Sequence, residues 1–325
     1  MNPLYPTIAL ALTLAACGST GTPASTGQVG TGGTATTSTG SAGGTTSTGG
    51  STGTGGTAAL PPTFATECGS NGGSWDLVEQ PGASIQFGVA DASATDDAVC
   101  QLVLPGDPAL GTADHVGPSF ATEIDSTDTF SFGTYRTRVQ LASCAADEEA
   151  VNGIFVFFND GLDHDGDGLV DNTEIDIEIL CGQPNYILLS SWTNYTDDTA
   201  FRKWSRGVDT ATGDYLESPS DHEFGLIPIG NDPAFKHPGF PEPFTYYEMG
   251  FDWEPTHIRF FIVLDGQEVT LWDFTNQALI PQHPAPFLFN VWHPADHWYE
   301  DGSPDYPAND AVMRIDWFRY WASSP

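Results

Sequence analysis

Through the second half of the chain, apolar and polar residues alternate in short runs. FGTYRTRVQL (132–141), NGIFVFFND (152–160), EIDIEIL (174–180) and NYILLSSW (185–192) follow one another with turn and loop residues between them. FTYYEMGFDW (244–253), THIRFFIVLDG (256–266), QEVTLWDF (267–274), PFLFNVW (286–292) and AVMRIDWFRYW (311–321) continue the series. Runs of period two, rich in β-branched and aromatic residues, predict strands. Asp265-Gly266, between two of them, predicts a tight hairpin. No long helical period occurs, so the pattern argues an all-β sandwich or barrel, which can reach this size as one domain. The polar, Pro- and Gly-rich stretch from Ser205 to Pro243 reads as loops at the rim.

The first 59 residues follow other rules. MNPLYPTIALALTLAACGST has an apolar run from Ile8 to Ala16, too short for a bilayer, which needs about 20 residues. Leu14-Ala15-Ala16-Cys17 resembles the lipobox of bacterial lipoproteins, although no Lys or Arg precedes the apolar run. Residues 1–16 are therefore expected to be a lipoprotein signal peptide and Cys17 the acylated mature N-terminus. Residues 17–59 are nearly all Gly, Ser, Thr and Ala, a flexible tether spanning roughly 35 Å root-mean-square. Residues 60–325 remain as the globular domain. The expectation is an exported monomer held at the cell envelope, touching membrane only through its anchor.

The net charge is −34, with two lysines, Lys203 and Lys236. Phosphate neutralisation needs a basic surface, so nucleic acid is excluded as a partner. Polyanionic polysaccharides are disfavoured by like-charge repulsion, which leaves neutral polymers and cations. Beyond Cys17 there are four cysteines, Cys68, Cys100, Cys144 and Cys181. An even count in an exported domain suggests two disulfides, with three possible pairings. Cys144 and Cys181 each follow a predicted strand, and those strands would flank the one at 153–159. The favoured pairing is Cys144 with Cys181 and Cys68 with Cys100.

The strand EIDIEIL carries the chemistry. Residues i, i+2 and i+4 of a strand share a face, so Glu174, Asp176 and Glu178 project together while Ile175, Ile177 and Ile179 turn to the core. An acidic solvated face is the plain alternative, but Asp and Glu are poor strand formers and adjacent like charges repel. Three crowded carboxyls cannot all ionise cheaply, so at least one is raised and becomes a proton donor near neutral pH. Glycosidic cleavage needs that pairing of a carboxylate with a carboxylic acid, and a separation of about 5–5.5 Å means retention through a covalent intermediate. The Cα atoms of Glu174 and Glu178 lie roughly 13 Å apart at about 3.3 Å per residue. Glutamate side chains are long enough to lean together across that distance.

This E-x-D-x-E strand resembles the signature of glycoside hydrolase family 16. FGTYRTRV, YYEMGFDWEPTHIRFFIVLDG (246–266), IPQHPAPFLFNVWHP (280–294) and MRIDWFRYW (313–321) are similar to other segments of that family, in the same order, covering about residues 120–321. The resemblance implies a concanavalin A-like jelly-roll sandwich with a concave cleft. It implies Glu174 as nucleophile, Asp176 as its tuning neighbour and Glu178 as general acid/base. The uninterrupted strand looks like the lichenase and xyloglucan-active branches; laminarinase-like members more often carry E-x-D-x-x-E. Tyr247-Glu248-Met249 stands where lichenases have His-Thr-Tyr. Expected on this basis is a retaining endo-β-glucanase on neutral β-1,3-1,4- or β-1,3-glucans, with a transglycosylase or a non-catalytic surface lectin as alternatives. Trp192, Asn290 and Trp292 are the first candidates for substrate contact, and Trp204, Tyr195 and Trp298 follow on rim segments.

DHDGDGLVDNTE (163–174) also fits the spacing of an EF-hand calcium loop. The alternative is an acidic hairpin tip without metal, but its aspartates would repel unless a cation compensates. A glutamate held bidentate on calcium could not also attack a sugar. Glu174 is therefore assigned to chemistry, and a structural Ca2+ to Asp163, Asp165, Asp167, Asp171 and the carbonyl of Leu169.

Overall fold

The computed structural model describes residues 61–79, 84–107, 121–145, 148–181, 186–194, 202–218, 227–231, 235–293 and 305–323. The signal peptide with Cys17, the tether, Tyr195 and Trp298 lie outside them. In chain order the strands are β1 (Phe64–Glu67), β2 (Trp75–Glu79), β3 (Ser84–Ala90), β4 (Ala98–Leu104), β5 (Ala121–Phe130) and β6 (Gly133–Gln140). Next come β7 (Ala150–Phe158), β8 (Thr173–Cys181), β9 (Tyr186–Thr193), β10 (Arg202–Asp209), β11 (Asp214–Ser218) and β12 (Ile227–Asn231). The last five are β13 (Tyr246–Glu254), β14 (His257–Leu264), β15 (Gln267–Phe274), β16 (Ala285–Trp292) and β17 (Ala311–Ala322).

These strands build two antiparallel sheets packed as a jelly-roll sandwich. One runs β15-β14-β13-β6-β17-β4-β3, with β1 also paired to β17; the other runs β12-β11-β10-β9-β8-β7-β16-β5-β2. All nine predicted strands form. Asp265 and Gly266 both take positive φ, 51° and 72°, the twist a two-residue hairpin of this kind requires. The expectation of rim loops after Ser205 is corrected: β10 to β12 occupy much of that segment. Asp209 accepts hydrogen bonds from the amides of Ala211 and Thr212 at 2.9 and 3.1 Å, which turns β10 into β11.

The core lies between the sheets. Ile175, Ile177 and Ile179 are at most 1% exposed there, and burying each stabilises by about 1.5–3 kcal/mol. Facing them is an aromatic layer of the other sheet, in which Tyr135 stacks on Phe251 at 4.7 Å and Phe318 stacks at 4.0 Å on Phe287 of the isoleucines' own sheet. Cys144 and Cys181 are bridged, though not by the expected neighbourhood. The strand before Cys144 is β6, which belongs to the opposite sheet, so the bridge ties the two sheets together at one end. The second expected bridge is corrected. Cys68 and Cys100 are buried free thiols, and the hydrogen bond between them, with burial, holds the Cys68 thiol well above its usual range.

Candidate active site

β8 pairs with β7 on one side and β9 on the other, with no register shift in either ladder. An unbroken strand keeps strict alternation, so with the isoleucines in the core, Glu174, Asp176 and Glu178 all rise from the outer face. That face is recessed around them. Asp176 is 5% exposed, Ser190 2%, Trp192 8% and Lys203 4%, although all point away from the core. Glu174 and Glu178 keep a solvent-facing edge.

Crowding and burial act in the same direction on the trio. Burial, then Asp176 and Glu178, push Glu174 well above the ordinary carboxylate range, while Lys203 and Asn172 oppose. Glu178 is raised by burial and by Asp176, again against Lys203. Burial raises Asp176 to about 7, against hydrogen bonds from Ser190 and Trp192 and the charge of Lys203, which pull it down. The bonds form a chain: Trp192 Nε1 donates to Ser190 Oγ at 3.1 Å, and Ser190 Oγ donates to Asp176 Oδ2 at 2.5 Å. Such a cluster can hold a carboxylate and a carboxylic acid side by side near neutral pH.

A second row crosses the same face. Glu123, Asn290, Gly153 and Glu178 are successive cross-strand partners on β5, β16, β7 and β8. Asn290 Nδ2 donates to Glu123 Oε2 at 3.0 Å. A side chain at Gly153 would place its Cβ 2.2 Å from Asn290 Oδ1, so glycine there makes room for the Asn290 amide to lie over β7, toward Glu178. Glu123 is raised by burial, and Asp125 is raised to about 7 by burial, Glu123 and Asp76. Beside this row Trp292 packs with Val151, Leu180 and Leu188 in a small apolar patch. Leu188 is the ladder partner of Glu178.

Of the sequence candidates, then, Glu174, Asp176, Glu178, Trp192, Asn290 and Trp292 share one face. Trp192 is not an open platform, because the Lys203 ammonium sits over its ring at 4.3 Å. Trp204 is a correction: it alternates with Lys203 on β10, so it turns to the other side of the sheet and packs on Phe274 at 6.0 Å. Lys203, Ser190, Glu123 and Asp125 were not foreseen. Each comes from a strand whose neighbour is set by topology. A separate open depression lined by Thr134, Asp252, Glu254, Thr256, His257, Arg259 and Glu268 lies on the other sheet. Arg259 is paired there with Asp252 and Glu268, at 2.5 Å each.

The acidic loop divides into two groups. Carboxylate oxygens of Asp163, Asp165 and Asp167 lie within 4.8 Å of one another, and Asp165 also lies within that distance of Asp171 and His283. Asp163 accepts from the amides of Gly166 and Gly168 at 2.6 and 2.9 Å, and Asp167 from that of Leu169 at 2.8 Å. Asp171 is fully buried. It accepts from the His164 amide at 2.7 Å and lies 3.0 Å from His283 Nε2, so it is already engaged by groups outside the aspartate triplet. Glu174 faces the other two carboxyls and takes no part in the loop. The triplet is a hard oxygen donor set suited to a divalent cation.

A β-glucanase of Bacillus amyloliquefaciens is 26% identical over 144 residues, 41% of this chain and 52% of that protein. The chain thus spans about half the length of that curated relative. The β-glucanase of Bacillus licheniformis aligns in three dimensions with a TM-score of 0.48 and 19% identity, over 80% of this chain and 98% of that one. A prokaryotic β-1,3-1,4-glucanase (lichenase) from a mouse hindgut metagenome aligns with a TM-score of 0.48 and 17% identity, over 80% and 99%. No family model matches the chain.

Proposed function

We propose that the domain is a retaining endo-glycosidase of the glycoside hydrolase family 16 type, acting on neutral β-1,3-1,4- or β-1,3-glucans. The observation that carries this reading is the recessed carboxyl trio of one unbroken strand, raised by burial and mutual repulsion. Glu174 attacks the anomeric carbon and forms the glycosyl-enzyme bond. Glu178 gives its proton to the leaving oxygen, then takes one from the water that hydrolyses the intermediate. Asp176, fixed by Ser190, keeps a third carboxyl against the pair and tunes the charge they share. Asn290, Glu123 and the Trp292 patch provide polar and apolar contacts for sugar rings on the Gly153 side. The curated β-glucanase similarity supports this substrate class without fixing the linkage.

A structural calcium held by Asp163, Asp165 and Asp167, with the Leu169 carbonyl as a further ligand and the buried Asp171 fastening the end of the loop, would brace the segment that leads into β8. The Cys144–Cys181 bridge suits an exported domain, in keeping with a Cys17 lipid anchor at the cell envelope. The decisive experiment is Glu174→Gln assayed on lichenan, laminarin and xyloglucan. Reducing-sugar release should vanish while glucan binding persists. A variant that is still fully active would end the assignment. Anomeric analysis of the first product by NMR tests retention, and product analysis with an added acceptor sugar separates hydrolysis from transglycosylation.

A further inference from the structure

Lys203 is one of two lysines in a chain with 43 acidic residues, and it is 4% exposed. A lysine is almost never so buried unless it is paired. The ladders explain where it goes. Glu174 is the cross-strand partner of Trp192, and Trp192 that of Lys203. The three side chains therefore rise in one row from the face that carries the trio. The ammonium lies 4.3 Å from the centre of the Trp192 ring, a contact that strengthens as water is removed. Its field acts on Glu174, Asp176 and Glu178 alike and favours the ionised form of each.

The charge balance gives this placement its meaning. Three carboxyls in a water-poor recess cannot keep even one negative charge cheaply. One ammonium beside them makes a state with a single carboxylate and two protonated carboxyls close to neutral. That is the resting state a double-displacement glycosidase requires, one ionised group to attack and one acid to protonate.

We propose that Lys203 is a positioning residue of the carboxyl trio, its buried ammonium serving as the counter-charge that lets one carboxylate persist in the recess, with the Trp192 ring as its seat. The mechanistic part of this inference rests on the glycosidase reading; the electrostatic part does not. Among the described residues, the other titratable groups of this face are Glu123 and Asp125 on β5 and Asp76 on β2, beyond Gly153 and Asn290, and Tyr186, Asp209 and Asp214 at the far ends of β9, β10 and β11. Asp171 and His283 lie past Thr173 at the start of β8. β7 contributes none. Arg202 and Arg206 alternate with Lys203 on β10 and turn the other way, to the Ala278 carbonyl and to the Tyr215 and Trp272 rings.

The test compares wild type, Lys203→Met and Lys203→Arg in two arms. In the first, side-chain carboxyl 13C shifts are followed from pH 3 to 9. Loss of the cation should move the lowest midpoint of the trio upward by about one pH unit or more, and Lys203→Arg should restore most of that shift. In the second, the acid limb of kcat/KM on a glucan should move to higher pH in Lys203→Met, with kcat at pH 6 falling at least tenfold and KM changing less than twofold. Midpoints in Lys203→Met that match wild type would overturn the proposal, whatever the variant's stability. Should Lys203→Met not fold, Lys203→Gln is read in the same way. A wild-type protein that cleaves no glucan would sink the glycosidase reading, while the titration arm would still decide the role of Lys203.

Discussion

Asn290 and Gly153 are cross-strand partners, and a methyl group on Gly153 would sit 2.2 Å from Asn290 Oδ1. No rotation of a methyl group relieves such an overlap, so Gly153→Ala must displace the Asn290 amide and weaken its 3.0 Å bond to Glu123. Overpacking of this kind costs about 1–3 kcal/mol. The expected outcome is a lower melting temperature together with a fall of about 10–100-fold in kcat/KM on glucans, as the Asn290 amide beside Glu178 is pushed out of place. Gly153→Ala combined with Asn290→Gly should recover the melting temperature and leave the activity low. Recovery of both would show that the Asn290 amide plays no part in substrate binding.

Ser190 is the hydrogen-bond donor to Asp176, at 2.5 Å, and the acceptor for Trp192 Nε1. Ser190→Ala leaves two buried polar groups without that partner, at about 1–3 kcal/mol. Because the bond favours the ionised form of a carboxyl that stands at about 7, its loss raises Asp176 further. The trio then gains its first negative charge at higher pH, and the acid limb of the rate profile should move up. Ser190→Thr, which keeps the hydroxyl, should leave the limb in place. A Ser190→Ala profile that coincides with wild type would reduce Ser190 to a packing residue.

The trio was legible because alternation along one strand is local information: Glu174, Asp176 and Glu178 need only period two to share a face. The nine strands from β6 to β9 and β13 to β17 were legible for the same reason. Earlier strands hide their period. β3 breaks register between Gln86 and Val89, where Gly88 takes a φ of 70°, and the second half of β5 is polar and exposed. Lys203, Glu123 and Asp125 could not be seen because their nearness to β8 depends on sheet order, in which β5 reaches β7 only through β16. Trp204 was misplaced because a segment read as loop has no faces. Once β10 is a strand, Lys203 and Trp204 must part company.

Asp125 offers a test of burial by pH. Its carboxyl stands at about 7 in the folded domain, raised by burial, Glu123 and Asp76, and at about 3.9 in an unfolded chain. Between those values the unfolded state binds fewer protons, so stability falls as pH rises from about 4 to about 7. Asp125→Asn removes that dependence. Because the carboxyl keeps a solvent edge that screens it, the gain at pH 7 is on the order of 1 kcal/mol, or about 2–4 °C in a domain of this size. At pH 4 the variant should match wild type. An equal gain at both pH values would mean that the substitution acts through packing and that ionisation of Asp125 is not the cause.

The aspartate triplet of the acidic loop separates a metal effect from a structural one. Asp163, Asp165 and Asp167 bring their oxygens within 4.8 Å and would share a calcium ion. Asp171, in contrast, is buried against His283 and the His164 amide and supports the fold through those partners. Calcium at 100 times its dissociation constant stabilises by about 2.7 kcal/mol, so excess chelator should lower the melting temperature by about 5–10 °C and reduce activity with it. Asp163→Asn should have a low melting temperature that chelator no longer changes. Asp171→Asn should be destabilised with and without calcium, because an amide has one acceptor oxygen where the carboxylate uses two, for the His164 amide and for Asn194 Nδ2. A wild-type melting curve unmoved by chelator would remove calcium from the loop and leave its aspartates to the backbone amides they already cap.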